Sequence, residues 1–320
     1  MLKELVQRIF YIIPKFPKTA QICITNKCNF NCKMCQRFDL KVDIKQMEFE
    51  TFEQIIDKLD PIESVILTGW GEPLLHPNLI KMIKLCKNKD KKVRFTSNGA
   101  LLHDQLIKDL VNSGLDEITF SIEEIHNSEN SIGHDSLQQI NKILRFLEIN
   151  KGIIKVNIQS VLQKDNQEKI LEIARFCKTN KVDRLRLTRL DIRFHDFERP
   201  TIREEKQLVN LISKILKNSK TGIDFLPHTA FDGITKNIFK IVYPFLHQFG
   251  KYCLRTFNDI YINVNGGVTP CCALPKFELG NILEDDLDNI WNSCKFRNFR
   301  KHQKEICGKC DILAVKTYNK

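Results

Sequence analysis

From residue 20 to about 217, short apolar runs of strand character alternate with stretches whose apolar residues recur at helical spacing. The strand-like runs are 22–25, 65–68, 93–97, 118–122, 154–162 and 184–187. Between them, Leu79, Met82, Ile83 and Cys86 share one helical face, after Pro77 at a plausible first turn. Leu106, Ile107, Leu110 and Val111 share another, ended by Gly114. Leu137, Ile140, Leu144 and Leu147 form the next, then Ile170, Ile173, Ala174 and Cys177, and last Leu208, Leu211, Ile212 and Ile215. Repeated strand-then-helix units predict an α/β fold with a parallel sheet and helices outside it. Pattern alone leaves an open doubly wound sheet and a curved, partly closed barrel both standing. In either, ligands belong at the carboxyl ends of the strands.

The sixth run has its own alternation. Period two puts Arg184, Arg186 and Thr188 on one face and Leu185 and Leu187 on the other. Facing inward, the polar face would bind carboxylate or phosphate; facing outward, it would be a solvated edge. His195, Asp196, His228 and Asp232 follow as candidate acid–base groups, with no spacing that singles one out. From about residue 250 the character changes. Apolar runs at 260–264 and 268–270 flank Asn265-Gly266-Gly267, a hairpin signal. The chain therefore divides into a helical lead-in over 1–19, a β/α body over 20–217, a linker over 218–249 and a cysteine-rich tail over 250–320.

Composition narrows the function. The 320 residues are 42% hydrophobic, enough for a substantial core, and no apolar run reaches the ~18 residues of a membrane span. Arg8 interrupts any signal-type core at the N-terminus, so 1–20 reads as a helix packed on the body, with a membrane-surface helix as the alternative. The net charge of +11 comes from 36 lysines and 14 arginines, scattered without a basic stripe interleaved with aromatics. That argues against nucleic acid as partner and leaves an anionic substrate open. Twelve cysteines in a large chain without a signal peptide point to clusters or metals in a reducing cytoplasm.

The first cysteine group is Cys28, Cys32 and Cys35, just after the 22–25 run. Three thiols within eight residues can grip three corners of a 4Fe–4S cube and leave the fourth iron open to a ligand. A zinc loop or three buried thiols is the bland alternative. Polar and glycine motifs stand at later strand ends: Thr68-Gly69-Trp70-Gly71-Glu72-Pro73, Thr96-Ser97-Asn98-Gly99, and Ser121-Ile122-Glu123. Asn157, Gln159 and Ser160 lie in the fifth run. Taken singly, each is more often a turn or cap.

Together these motifs resemble those of the radical S-adenosylmethionine (radical SAM) enzymes. The resemblance implies a (β/α)6 partial TIM barrel. It implies a 4Fe–4S cluster on Cys28, Cys32 and Cys35, whose open iron is chelated by S-adenosylmethionine. One electron, from a flavodoxin- or ferredoxin-type donor, then gives a 5′-deoxyadenosyl radical that takes hydrogen from substrate. Gly69, Trp70, Gly71 and Glu72 resemble the GGEP motif that holds the methionine amino group, with Trp70 in the second glycine's place. Ser97, Asn98, Ser121 and, more weakly, Glu123 are implied cofactor contacts, and Met34 replaces the usual aromatic near adenine.

The tail resembles the SPASM/twitch extension of that family. Cys253 precedes the hairpin, Cys271 closes it, and Cys307 and Cys310 follow a helical stretch at Leu287–Trp291. No cysteine follows Cys310, so the shorter twitch form with one auxiliary 4Fe–4S cluster is implied. Four thiolates would equally hold zinc, and Cys271 is chosen over Cys272 on spacing. Cys23, Cys86, Cys177 and Cys294 read as buried apolar residues. The function expected is an oxidoreductase that abstracts hydrogen from a small polar molecule, sugar-, aminocyclitol- or nucleotide-like, and oxidises the product radical through the auxiliary cluster. The alternatives are a radical SAM peptide maturase and, from another class, a non-enzymatic zinc or iron–sulfur nucleic-acid binder.

Overall fold

Six β/α units form, in the order the alternation predicts. The computed structural model describes residues 11–126, 135–191, 198–226, 253, 255–307 and 310. The strands are β1 (Thr19–Ile22), β2 (Ser64–Ile66), β3 (Lys92–Ser97), β4 (Glu117–Ser121), β5 (Lys155–Leu162) and β6 (Arg184–Arg189). The helices are α1 (Phe49–Lys58), α2 (Leu79–Asn88), α3 (Asp104–Val111), α4 (Ser136–Asn150), α5 (Gln167–Thr179) and α6 (Ile202–Ile215). Each strand pairs in parallel with the next. This is the open parallel sheet of a partial TIM barrel.

Helix α1 has no counterpart among the predicted helical faces. Phe52, Ile55 and Ile56 are its buried stripe, spaced i, i+3, i+4, with charged residues on the opposite face, an amphipathic pattern the sequence carries. Start signals are local: Asp135 accepts from Gln138 N, and Thr201 with Glu204 closes a capping box on α6. Outward-facing strand residues such as Phe95, Phe120, Ile158, Leu185 and Leu187 are fully buried beneath the helices. Phe120 meets Phe146 of α4 edge-to-face at 5.2 Å.

The sheet continues past the sixth unit at both edges. Gly222–Leu226, inside the stretch read as linker, is a strand (β7) parallel to β6. A short helix α7 (Arg255–Asn258) leads into β8 (Asp259–Ile262), which pairs in parallel with β1. The Asn-Gly hairpin turns β8 into antiparallel β9 (Gly267–Thr269), and β10 (Gly280–Asn281) follows. The sheet order is therefore β10-β9-β8-β1-β2-β3-β4-β5-β6-β7. Three short helices complete the tail: α8 (Leu287–Trp291), α9 (Cys294–Lys301) and α10 (Gln303–Cys307). Val268, Ile282, Trp291, Phe296 and Phe299 join the barrel's own apolar core. The tail extends the barrel's first edge; it does not sit apart from it.

On the face away from the helices, Arg186 reaches across β5 to β4, donating to Thr119 Oγ1 and Glu117 Oε1, both at 3.1 Å. Asp224 of β7 lies 3.6 Å from Arg186 and 2.9 Å from Arg184. The arginines proposed from sequence as an anion site are thus engaged with carboxylates of the sheet itself. Among the described residues, no helix is long and apolar enough to cross a membrane. Of the expected helix over 1–19, residues 1–10 lie outside the described residues, 11–18 are not helical, and Thr19 opens β1.

Candidate functional site

The cysteine loop springs from the end of β1 and is closed at its base. Thr25 bridges Gln46, Asn26 N donates to Lys45 O, and Asn26 Nδ2 donates to Asp43 O. Inside it, Cys35 N donates to Cys32 O at 3.0 Å and Phe30 N to Cys28 Sγ at 3.4 Å. Arg37 is buried in the loop, donating to the carbonyls of Asn26 and Phe30 and to Asn31 Oδ1, each at 3.3 Å. Cys28, Cys32, Cys35 and Met34 are all half-buried.

The segment after β2 presses against this loop. A Cβ on Gly71 would lie 2.3 Å from Lys27 O and 2.7 Å from Thr25 O, so only glycine fits. Glu72 N donates to Lys27 O at 2.8 Å. The Glu72 side chain turns to β3: Oε1 accepts from Leu74 N and Ser97 Oγ, Oε2 from Asn98 N. Ser97 Oγ in turn accepts from Gly99 N. Ser97 is therefore a buried hub with its hydroxyl engaged, and Asn98 is the outward residue of the pair. Asn98 Nδ2 donates to Asn29 Oδ1 of the cysteine loop at 2.9 Å. Gln139 of α4 staples the ends of β3 and β4 through Asn98 O and Ser121 O. The Ser121 hydroxyl has no side-chain partner among the described residues, and the Glu123 carboxylate accepts from Val161 N.

Electrostatics draw these elements to one place. Burial pushes the Cys32 thiol up to about 11, aided by Cys35, Cys28 and Glu123. Burial also raises Cys28, with Glu72 acting in the same direction and Arg37 against it. Burial lifts Glu123 to about 8 and raises Glu72 against its three hydrogen bonds. The three thiols thus sit within electrostatic reach of one another, flanked by Glu72 on the Cys28 side and Glu123 on the Cys32 side. Three neighbouring thiols are the donors a 4Fe–4S cube takes on three of its irons, and they would equally suit a structural zinc only with a fourth ligand beside them. A ligand with an ammonium and a sulfonium suits two flanking carboxylates. The donor set fits both the cluster and S-adenosylmethionine.

In the tail, Cys253 is buried, and Cys271, Cys272, Cys307 and Cys310 are half-buried. Burial pushes Cys253 up to about 11, with Cys271 adding to it. A hydrogen bond to Cys271 is the first cause of the rise at Cys272. Arg255 feels the charges of Cys272, Cys253 and Cys271 together, a cation among thiols that suits an anionic cluster. Trp70 Nε1 donates to Cys272 O at 3.2 Å, joining the segment after β2 to this loop.

Arg37, Asn29, Gln139 and Arg255 are site residues that sequence reading passed over. Only Arg37 left a signal, an arginine two places beyond the third cysteine. Cys23, Cys86 and Cys177 are buried as expected, whereas Cys294 is exposed on α9, accepting from Arg297 Nη2. His195, Asp196, His228 and Asp232 lie outside the described residues.

Comparison with known proteins fits this arrangement. The radical SAM superfamily model matches residues 22–177, and the SPASM model, an iron-sulfur cluster-binding domain, matches 253–311. The tungsten-containing aldehyde ferredoxin oxidoreductase cofactor-modifying protein of Pyrococcus furiosus is 23% identical over 303 residues, covering 87% of this chain and 81% of that one. A GTP 3',8-cyclase of Campylobacter jejuni is 24% identical over 267 residues, covering 78% and 79%. The crystal structure of Streptococcus suis SuiB bound to its precursor peptide SuiA superposes with a TM-score of 0.72 at 20% identity, over 98% of this chain and 73% of that one, and shows the same fold. The chain belongs to the radical SAM superfamily and carries a SPASM-type iron–sulfur region at its C-terminus.

Proposed function

We propose that this radical SAM enzyme oxidises a small polar substrate. Cys28, Cys32 and Cys35 hold the S-adenosylmethionine-binding cluster, and Cys253, Cys271, Cys307 and Cys310 hold one auxiliary cluster. The observation that carries the reading is the thiol trio flanked by Glu72 and Glu123 at the carboxyl ends of the strands. When bound, the first cluster supplies reductive cleavage of S-adenosylmethionine and the second an electron acceptor, so the net reaction is an oxidation of substrate.

The chain's own part is binding and orientation. Glu72, held by three donors, presents its remaining lone pair to the cofactor's ammonium group. Gly69 and Gly71 let the backbone carbonyls of this segment approach, with Trp70 between them. Asn98, Ser121 and Glu123 offer polar contacts to ribose and carboxylate. Met34 supplies an adaptable apolar contact for adenine. Electrons come from a flavodoxin- or ferredoxin-type donor.

A small polar substrate is favoured by the face that would receive it. Among the described residues, Thr188 Oγ1 is buried there without a hydrogen-bond partner. It shares the face of Arg186, and Gln159 lies on the neighbouring strand. A buried orphan hydroxyl calls for a polar ligand. The cofactor-modifying and cyclase relatives bear names that point to small molecules. The second reading is a peptide maturase, motivated by the fold shared with SuiB, which binds a precursor peptide.

The test is anaerobic reconstitution of the full chain. About eight irons per chain and S-adenosylmethionine-dependent 5′-deoxyadenosine are expected. Candidate sugars, nucleotides and peptides are then screened for loss of two mass units. A peptide product would replace the small-molecule reading. Two zincs with salt-sensitive DNA binding would replace the enzyme altogether.

A further inference from the structure

The backbone of Cys253 is held on both sides by buried polar side chains. Its N–H donates to Gln303 Oε1 at 2.7 Å, and its carbonyl accepts from Thr256 Oγ1 at 2.8 Å. Gln303 Nε2 donates to the same Thr256 Oγ1 at 2.6 Å, which closes a ring. Arg300 Nε donates to Thr256 O at 2.9 Å, and its guanidinium lies 4.1 Å from the Trp291 ring centre and 3.5 Å from that of Phe296. Gln303 is 1% exposed, Thr256 2% and Arg300 0%. Arg300 also donates through Nη1 to Trp291 O at 2.9 Å, while its Nη2 has no partner among the described residues. Burying polar groups is unfavourable unless they are paired, and Gln303 and Thr256 pair with each other and with Cys253, so the ring has one defined geometry.

Gln303 lies on α10, the helix that ends at Cys307. The ring therefore ties the start of the tail to its far end. We propose that Gln303 and Thr256 are positioning residues that fix Cys253 relative to Cys307 as ligands of the auxiliary cluster, with Arg300 bracing Thr256 from behind. This rests on the assignment of those two cysteines to the cluster.

The experiment uses the anaerobically reconstituted full chain and follows the two clusters separately by electron paramagnetic resonance and redox titration. Thr256→Val keeps the shape and removes the hydroxyl; Gln303→Leu removes both partners of Cys253 N–H and Thr256. Both variants are expected to release auxiliary-cluster iron to a chelator about 10-fold faster than wild type, the usual size of an outer-shell loss. The first cluster's signal stays unchanged, and Thr256→Ser restores the wild-type rate. Wild-type release in both variants would overturn the proposal, as would equal loss of both clusters, which marks general unfolding. Cys253→Ala separates the two levels: retention of the auxiliary cluster there would overturn the ligand assignment itself, whereas its loss beside unaffected Thr256 and Gln303 variants overturns only the positioning role.

Discussion

The indole N–H of Trp70 donates to the carbonyl of Cys272 at 3.2 Å, a contact between residues 202 positions apart. It ties the segment facing the cysteine loop to the cysteine-rich loop of the tail. Trp70→Phe keeps most of the ring and removes the donor. A net loss of about 1 kcal/mol in chemical unfolding is expected, together with roughly fivefold faster alkylation of Cys272 in the cluster-free chain. Denaturant titration and mass spectrometry read the two effects. Unchanged labelling would mean that the contact does not hold the tail loop.

Gly69 sits where almost nothing else can. A Cβ there would lie 1.9 Å from Cys23 Sγ and 2.8 Å from Cys23 Cβ. Gly69→Ala is expected to destabilise by about 3 kcal/mol, the upper range for overpacking. Adding Cys23→Ala removes the sulfur and should recover about half of that loss, a coupling of 1 kcal/mol or more. Strict additivity in this double-mutant cycle would show that the backbone at Gly69 yields on its own.

Glu72 has an observed task and a proposed one that one substitution separates. Its carboxylate accepts from Leu74 N at 2.9 Å, Ser97 Oγ at 2.8 Å and Asn98 N at 2.7 Å, and the proposed function adds the cofactor's ammonium group. Glu72→Gln places an amide N–H against a buried donor, with an expected destabilisation of about 2 kcal/mol. S-adenosylmethionine affinity, measured by equilibrium dialysis, should fall about tenfold or more with the lost charge. If stability falls while affinity holds, Glu72 is a scaffold for β3 and not a cofactor contact.

These residues show what a sequence carries and what it omits. The strand runs at 93–97 and 118–122 lie within a residue of β3 and β4, because Val93 and Phe95, and Ile118 and Phe120, alternate with polar residues at the strand period. The cysteine spacing and the glycine motifs announce the site because close backbone approach restricts residue choice. Helix α1 is legible too: Phe49, Phe52, Ile55 and Ile56 recur at helical spacing with charged residues on the opposite face. The role of Ser97 is invisible because a serine at a strand end reads the same whether its hydroxyl faces a ligand or a buried carboxylate. The pairing of β8 with β1, which brings the tail against the first strand, depends on contacts across some 240 residues that no local pattern encodes. The same holds for Arg186, whose partners Glu117 and Asp224 lie on different strands.

That long-range pairing brings a titratable group with it. Asp259 opens β8 opposite Thr19, and burial pushes its carboxyl up to about 6, against the pull of Arg255, Arg94 and a hydrogen bond to Thr19. A carboxyl whose folded pKa lies above its unfolded value holds a proton more tightly when folded. Its contribution to stability is therefore largest at low pH and declines as pH rises through the folded value. For a shift of this size, about 1 kcal/mol should be lost between pH 5 and pH 7, with little further change above pH 7. Asp259→Asn removes this dependence, since the amide does not titrate. The check is the difference in unfolding free energy between Asp259→Asn and wild type, measured by denaturant titration on cluster-free protein across that range. A difference that moves steadily in the variant's favour up to about pH 7 and then levels is expected. A flat difference would show that Arg255 and Arg94 already hold the carboxylate ionised, and that the β1–β8 seam carries a buried ion pair instead of a protonated acid.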